Sequence, residues 1–230
     1  MAEQGVSNER KRELEQNDPF QEFLVKSFEY AKANKKMLGV IAGVLVTVIA
    51  IFTTIIQGFA ASENKASALY GKALMAYQKE AADPVKAHGL VKDDFKVLLD
   101  EYANTSAGRM ALVKWGRINL DAGEYNVAGQ MFAKAYDALK NEAGMKNFIL
   151  SSQGHVCLAK KDFTGAKAYF QKVVKSDSTL LQDEARFVLA TLYEMEKDLA
   201  GGLKMSQEIL EKNQGSLFSS IAESQVALLN

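Results

Sequence analysis

The sequence predicts an all-α protein: an apolar N-terminal transmembrane helix followed by an α-solenoid of stacked helical hairpins. Three observations carry this. Residues 37–56 are 20 uncharged, almost wholly apolar positions rich in Val, Ile and Leu. Only two prolines, Pro19 and Pro84, stand in 230 residues, and so few helix breakers favour helices. Beyond the apolar run, a pattern of small and acidic residues recurs at intervals of 38 and 36 residues.

Residues 1–17 are polar, mixed in charge and without an apolar face, and they read as a disordered tail. Residues 18–36 read as an amphipathic juxtamembrane helix. Asp18 suits its cap, Pro19 its first turn, and Gln21 stands three residues after the cap. Phe20, Phe23, Leu24, Phe28 and Ala31 recur at helical spacing as one aromatic-rich face. Its expected use is to lie against the inner leaflet, with Lys26 and Lys32 near the headgroups. Docking on a membrane partner is the alternative.

Residues 37–59 read as the span. At 1.5 Å per residue, the apolar run covers about 30 Å, the thickness of the hydrocarbon layer. A helix is also the one single-segment structure that satisfies every backbone group in lipid. Gly58 and Ala60 leave signal-peptidase cleavage open, but the run is longer than a signal core and 36 residues precede it. Lys32, Lys35 and Lys36 crowd the N-terminal edge, against Lys65 with Glu63 nearby on the other side. The positive-inside rule therefore keeps the N-terminus cytoplasmic and exports residues 62–230. Gly39 and Gly43 form a GxxxG pair, which would let the membrane helix pack on another and so form a homo-oligomer.

Of the 28 cations and 28 anions, seven of each precede the apolar run, leaving 21 of each beyond it. That neutral domain has no basic tract to neutralise phosphates, so nucleic acid is not an expected partner. Cys157 is the single cysteine and permits no intramolecular disulfide. Packing must hold the domain together even in an oxidising compartment.

The repeat appears on aligning "WGRINLDAGEYNVAGQMFAKAY" (115–136), "QGHVCLAKKDFTGAKAYFQKVV" (153–174) and "LATLYEMEKDLAGGLKMSQEIL" (189–210). Gly116, Gly154 and Ala190 are small, and eight positions later come Glu124, Asp162 and Asp198. Tyr125, Phe163 and Leu199 follow directly, and Ala128, Ala166 and Gly202 three residues after those. Two antiparallel helices explain the pattern. The small residues mark close backbone approach, and the apolar residue after the turn is expected to plug the space toward the next unit. Phe132, Tyr169 and Phe170 then cover the neighbouring pair. Stacked pairs bury one continuous core.

These columns resemble the tetratricopeptide repeat, strongly in the first two units and weakly in the third. In the third, Arg186 and Ser206 stand where apolar residues belong, and the closing proline is missing throughout. Repeats are placed at 109–142, 147–180 and 183–216, with a capping helix at 217–229. Leu69, Tyr70, Ala73, Leu74 and Tyr77, then Phe95, Leu98, Leu99 and Tyr102, mark a preceding helix pair around "DPVKAHG" (83–89). With the anchor, the chain resembles the ancillary Sec-translocon subunits of bacterial inner membranes. The stretches that carry this are "FEYAKANKKMLGVIAGV" (28–44), "SALYGKAL" (67–74) and "DFTGAKAYFQKVVKSD" (162–177). The resemblance implies a periplasmic C-terminal domain and protein partners: the translocation channel, periplasmic chaperones or exported clients.

No catalytic, cofactor or metal site is expected. His88 and His155 have no second ligand at metal spacing, and no HExxH, CxxC or glycine-rich phosphate loop occurs. His155 and Cys157, two apart on a helix, point about 200° from each other, unlike a nucleophile and its base. Cys157 reads as a small buried residue and His155 as a groove or surface residue. "NTS" at 104–106 matches a glycosylation acceptor and carries no weight in a bacterial setting. Binding is the function left. The first helix of each pair would line a partner groove with Met110, Val113, Arg117 and Leu120, then Phe148, Ser151, His155 and Leu158, then Phe187, Thr191 and Glu194. The larger apolar members serve equally well as packing between repeats. Without a Lys/Arg cluster, a clamp for a peptide carboxylate is disfavoured and a partly apolar groove preferred. The alternatives are an anchored adaptor in cell-wall synthesis or division, and a self-associating structural protein.

Overall fold

Low breaker content becomes helix nearly throughout. The computed structural model describes residues 19–142, 144–213 and 215–229, and among these every regular element is α-helical. The expected disordered tail (1–17) and the Asp18 cap lie outside the described residues. The chain divides into two compact units between Gly58 and Phe59.

The first unit holds α1 (Pro19–Ala33) and the start of α2 (Lys35–Lys79). Phe23, Leu24 and Phe28 of α1 are exposed, while Lys26 pairs with Glu22 on its polar side at 2.7 Å. Asn34 alone separates the helices, and its backbone N–H and Nδ2 both donate to Tyr30 O (3.0 and 2.9 Å). Among the described residues α2 is the one helix long and apolar enough to cross a membrane. Its threonine hydroxyls bond within the helix, as a helix crossing lipid would require. Thr47, Thr53 and Thr54 donate to the carbonyls of Gly43, Ile49 and Ala50 at 2.9, 2.7 and 2.9 Å. Nothing lies within 4 Å of where a Cβ on Gly39 or Gly43 would stand. The expected span and the helix after it form a single element, because "AASENKA" contains no breaker and Gly58 alone does not stop a helix.

In the second unit, Ala66, Ala73 and Tyr77 at the end of α2 share a core with α3 (Pro84–Glu101) and α4 (Ser106–Asp121). Asp83 caps α3 by accepting the Lys86 N–H at 3.0 Å, with Pro84 in the first turn. The start of α4 is capped from afar. Glu63 accepts the N–H groups of Ser106 (2.8 Å) and Ala107 (3.2 Å), and Thr105 Oγ1 takes that of Gly108 (2.9 Å). Three orphan donors are thus met, two by a carboxylate at the positive end of the helix. Gly108 has to be glycine, since a Cβ there would stand 2.0 Å from the Tyr102 carbonyl oxygen.

Three hairpins follow: α4 with α5 (Tyr125–Leu139), α6 (Met145–Ala159) with α7 (Phe163–Val174), and α8 (Gln182–Met195) with α9 (Leu199–Lys212). Each helix packs on its neighbours in sequence, and α10 (Ser219–Leu229) packs on α9. The three turns are built alike. Gly123, Lys161 and Lys197 have φ of 84°, 60° and 64°, and the next residue's N–H reaches back to Asn119, Cys157 and Tyr193 (2.8, 2.8 and 2.9 Å). This is the hydrogen-bond pattern of a Schellman C-cap. The acidic column is then the N-cap of the second helix. Asp162 accepts from Gly165 N–H and Asp198 from Gly201 N–H (2.9 and 3.0 Å), but the longer Glu124 makes no such bond.

Ala128, Ala166 and Ala190 are fully buried, as close approach demands. The plugs are not where the sequence placed them. Tyr125, Phe163 and Leu199 are exposed, because the first residue of a helix projects past the end of its partner. The ring that fills each of the first two hairpins sits two turns further on. Phe132 and Phe170 are fully buried, and a Cβ on Gly116 or Gly154 would come within 2.9 or 2.7 Å of them.

Candidate functional site

On α4, positions 110, 113, 114 and 117 share one face by helical spacing. With Met145 and Phe148 of α6 and Tyr70 of α2, they line a hollow of ≈ 340 Å³. Its rim is apolar and open: Met110 is 38% exposed and Phe148 40%. Val113 is buried and forms the floor. The lining charges are both positive. Arg117 is tethered by Asp121 (Nε–Oδ1 3.0 Å), and Lys114 Nζ stands 4.8 Å from the centre of the Tyr77 ring. The hollow thus joins an apolar surface to two cationic side chains.

The other expected groove residues are engaged elsewhere. Ser151, 3% exposed, donates to Glu184 Oε2 (3.1 Å), and His155 Nε2 lies 3.0 Å from Glu184 Oε1. The His155 bond holds the Glu184 carboxyl below the usual carboxylate range, against burial acting in the other direction. These residues clasp α6 to α8. The His155 ring also meets Phe170 edge-on at 5.3 Å. Phe187 stacks on Phe218 (5.1 Å between centroids), so the segment leading into α10 covers the third unit's aromatic position. Leu120 is half-buried against the cluster that holds Ala128 and Phe132, and Leu158 against the one that holds Ala166 and Phe170. Thr191 is exposed with its hydroxyl on Phe187 O (3.1 Å), and Glu194 is half-buried beside Gly202.

The structure therefore brings together Met110, Val113, Arg117 and Phe148, and adds Tyr70, Lys114 and Met145. Lys114 lies one turn from Met110 and was within reach of a spacing argument. Tyr70 was not, because its place depends on how α2 packs on α4. Cys157 is half-buried, and burial, with Asp162 nearby, pushes its thiol up. Among the described residues no three His, Cys, Asp or Glu side chains gather as a metal site. Neither a scan of protein-family models nor a search of curated proteins returns a match to this chain.

Proposed function

We propose that the protein is a membrane-anchored scaffold whose α4–α6 groove binds a segment of a partner protein on the exported side of the protein-translocation channel. The observation that carries this is the convergence of exposed Met110 and Phe148 with Tyr70 and Met145 in one hollow. Large apolar side chains left open around a concavity are characteristic of a recognition site. The apolar helix α2 supports the anchor. The three like-built turns support a tetratricopeptide-like array, whose use elsewhere is protein binding. The resemblance to ancillary Sec-translocon subunits supplies the exported side and the partners: the channel, periplasmic chaperones or exported clients.

Photo-crosslinking in intact membranes tests the reading. A photoreactive residue replacing Met110 or Phe148 in the full chain is expected to capture translocation-channel subunits, chaperones or exported clients. Capture of cell-wall synthesis or division proteins would assign the scaffold to another envelope process, and capture of nothing at either position would remove the groove. The uncovered Gly39–Gly43 face favours a second contact, in which the membrane helix selects the complex. Gly39→Leu with Gly43→Leu is then expected to abolish co-purification that Phe148→Ala leaves intact, and the reverse pattern would reduce the anchor to a tether. A reporter active only outside the cytoplasm, fused after residue 230, is expected to be active.

A further inference from the structure

The opposite face of α4 also lines a hollow, and a larger one. Leu112, Trp115 and Asn119 lie about 180° around the helix from Met110, Val113 and Arg117. They floor a cleft of ≈ 610 Å³ between α3 and α5. Its floor is rigidly built. The Trp115 indole stacks on His88 (4.7 Å, 13° between planes) and on Phe95 (5.1 Å, 17°). Asn119, 1% exposed, donates to Trp115 O at 2.7 Å, and its Oδ1 lies 3.1 Å from His88 Nε2. Asn119 is thereby held between Trp115 and His88, and apolar surface predominates in the lining.

The mouth is different. Lys92 and Lys96 stand one turn apart on α3, with Lys134 on α5. Among the described residues none of the three is in an ion pair, whereas Lys72, Lys86, Lys140 and Lys167 each are. Asp100 and Glu124 also line the cleft, so cations exceed anions there by three to two in a domain otherwise balanced. An aromatic floor disfavours a hydrated ion alone, and the lysines disfavour a basic segment. What complements both is a bulky apolar side chain flanked by carboxylates.

We propose that this cleft is a second binding site, separate from the groove, and that it takes an acidic segment of a partner protein anchored by apolar side chains over Trp115. The site carries its own reporter, because Trp115 is the only tryptophan in the chain. The probe is a short end-blocked peptide with a central Leu-Leu pair flanked by glutamates, titrated into the full-length protein in detergent micelles. Trp115 emission is expected to change saturably, and the affinity to fall as salt rises. Combining Lys92→Glu with Lys96→Glu, both exposed positions, is expected to weaken binding by about tenfold or more. Phe148→Ala, across α4, is expected to leave the titration unchanged. The proposal is overturned if emission does not respond, or if a glutamine version of the peptide binds as well. It is equally overturned if Phe148→Ala abolishes the response while the lysine reversals leave it alone, which would seat the peptide in the groove. Far-UV circular dichroism of each variant separates lost binding from lost fold.

Discussion

In the α4/α5 and α6/α7 hairpins, one position of the second helix is phenylalanine, Phe132 and Phe170, with its ring wedged against a glycine of the first helix. In α8/α9 the corresponding residue is Ser206, fully buried, which donates to Gln225 Oε1 of α10 at 2.8 Å. A second column changes in step. Leu112 and Leu150 are replaced by Arg186, whose nearly buried guanidinium is met by Asp183 Oδ1 (2.9 Å), Glu208 Oε2 (3.3 Å) and Gln182 Oε1 (3.0 Å). The same backbone path is thus closed twice by shape and once by charge. An aromatic closure is stabilised by removing area from water. A polar closure contributes little net energy but is costly to leave half-made.

The largest effect is expected where shape is removed. Phe170→Ala empties a fully buried ring site beside Gly154 and should lower stability by about 3–5 kcal/mol. Denaturant unfolding of the full chain in micelles, followed by circular dichroism, measures this. A loss below about 1 kcal/mol would mean the hairpin collapses onto the gap and shape is not what closes it.

The polar junction should break asymmetrically. The Arg186 side chain is 3% exposed, whereas those of Asp183 and Glu208 are 19% and 21% exposed. Removing the carboxylates (Asp183→Asn with Glu208→Gln) strands a buried cation and should cost about 3 kcal/mol. Arg186→Leu restores the residue type of the other two hairpins and leaves carboxylates that water still reaches, so its cost should be clearly smaller. The same unfolding experiment decides, and equal losses would show that the guanidinium is no more dependent on its partners than they are on it.

Smaller again is the clasp that Glu184 of α8 makes with Ser151 and His155 of α6. Glu184→Gln should cost about 1 kcal/mol at neutral pH. The folded-state carboxyl is held below its usual value, so its contribution is complete above about pH 4.5 and is lost as pH falls through the lowered folded value. The wild-type unfolding midpoint should therefore fall more steeply below pH 4.5 than that of Glu184→Gln. Parallel acid limbs would remove Glu184 from the account.

The hairpins were legible in the sequence because their constraints are local and repeated. Gly116 and Gly154, then Ala128 and Ala166, mark close approach wherever it occurs. The plug was misplaced by seven residues, from Tyr125 to Phe132 and from Phe163 to Phe170, since both members of each pair share a helical face and only packing shows which one the neighbour covers. Four of the seven residues lining the hollow, Met110, Val113, Arg117 and Phe148, were placed there by the repeat alignment. The engagement of Ser151 and His155 by Glu184, and of Phe187 by Phe218, was not legible. Each joins residues about 30 apart through the stacking of hairpins, which no single-helix pattern encodes.

The turns offer the smallest and sharpest test of likeness among the hairpins. All three need a left-handed residue at the same place, and only the first uses glycine, Gly123, where the others use Lys161 and Lys197. A side chain in that conformation costs roughly 1–2 kcal/mol, because its Cβ crowds the carbonyl that follows. Glycine avoids the crowding but loses more freedom on folding, which returns roughly 0.5–1 kcal/mol of the gain. Lys161→Gly and Lys197→Gly should each therefore raise stability by about 0.5–1 kcal/mol, and Gly123→Lys should lower it by a similar amount. Both lysines are exposed, and among the described residues neither has an ion pair or hydrogen bond from its ammonium group. Unfolding midpoints of the three variants read the result directly. If the glycine variants are no more stable than the parent, the second and third turns are relaxed in a way the first is not, and the likeness of the three hairpins ends at their hydrogen bonds.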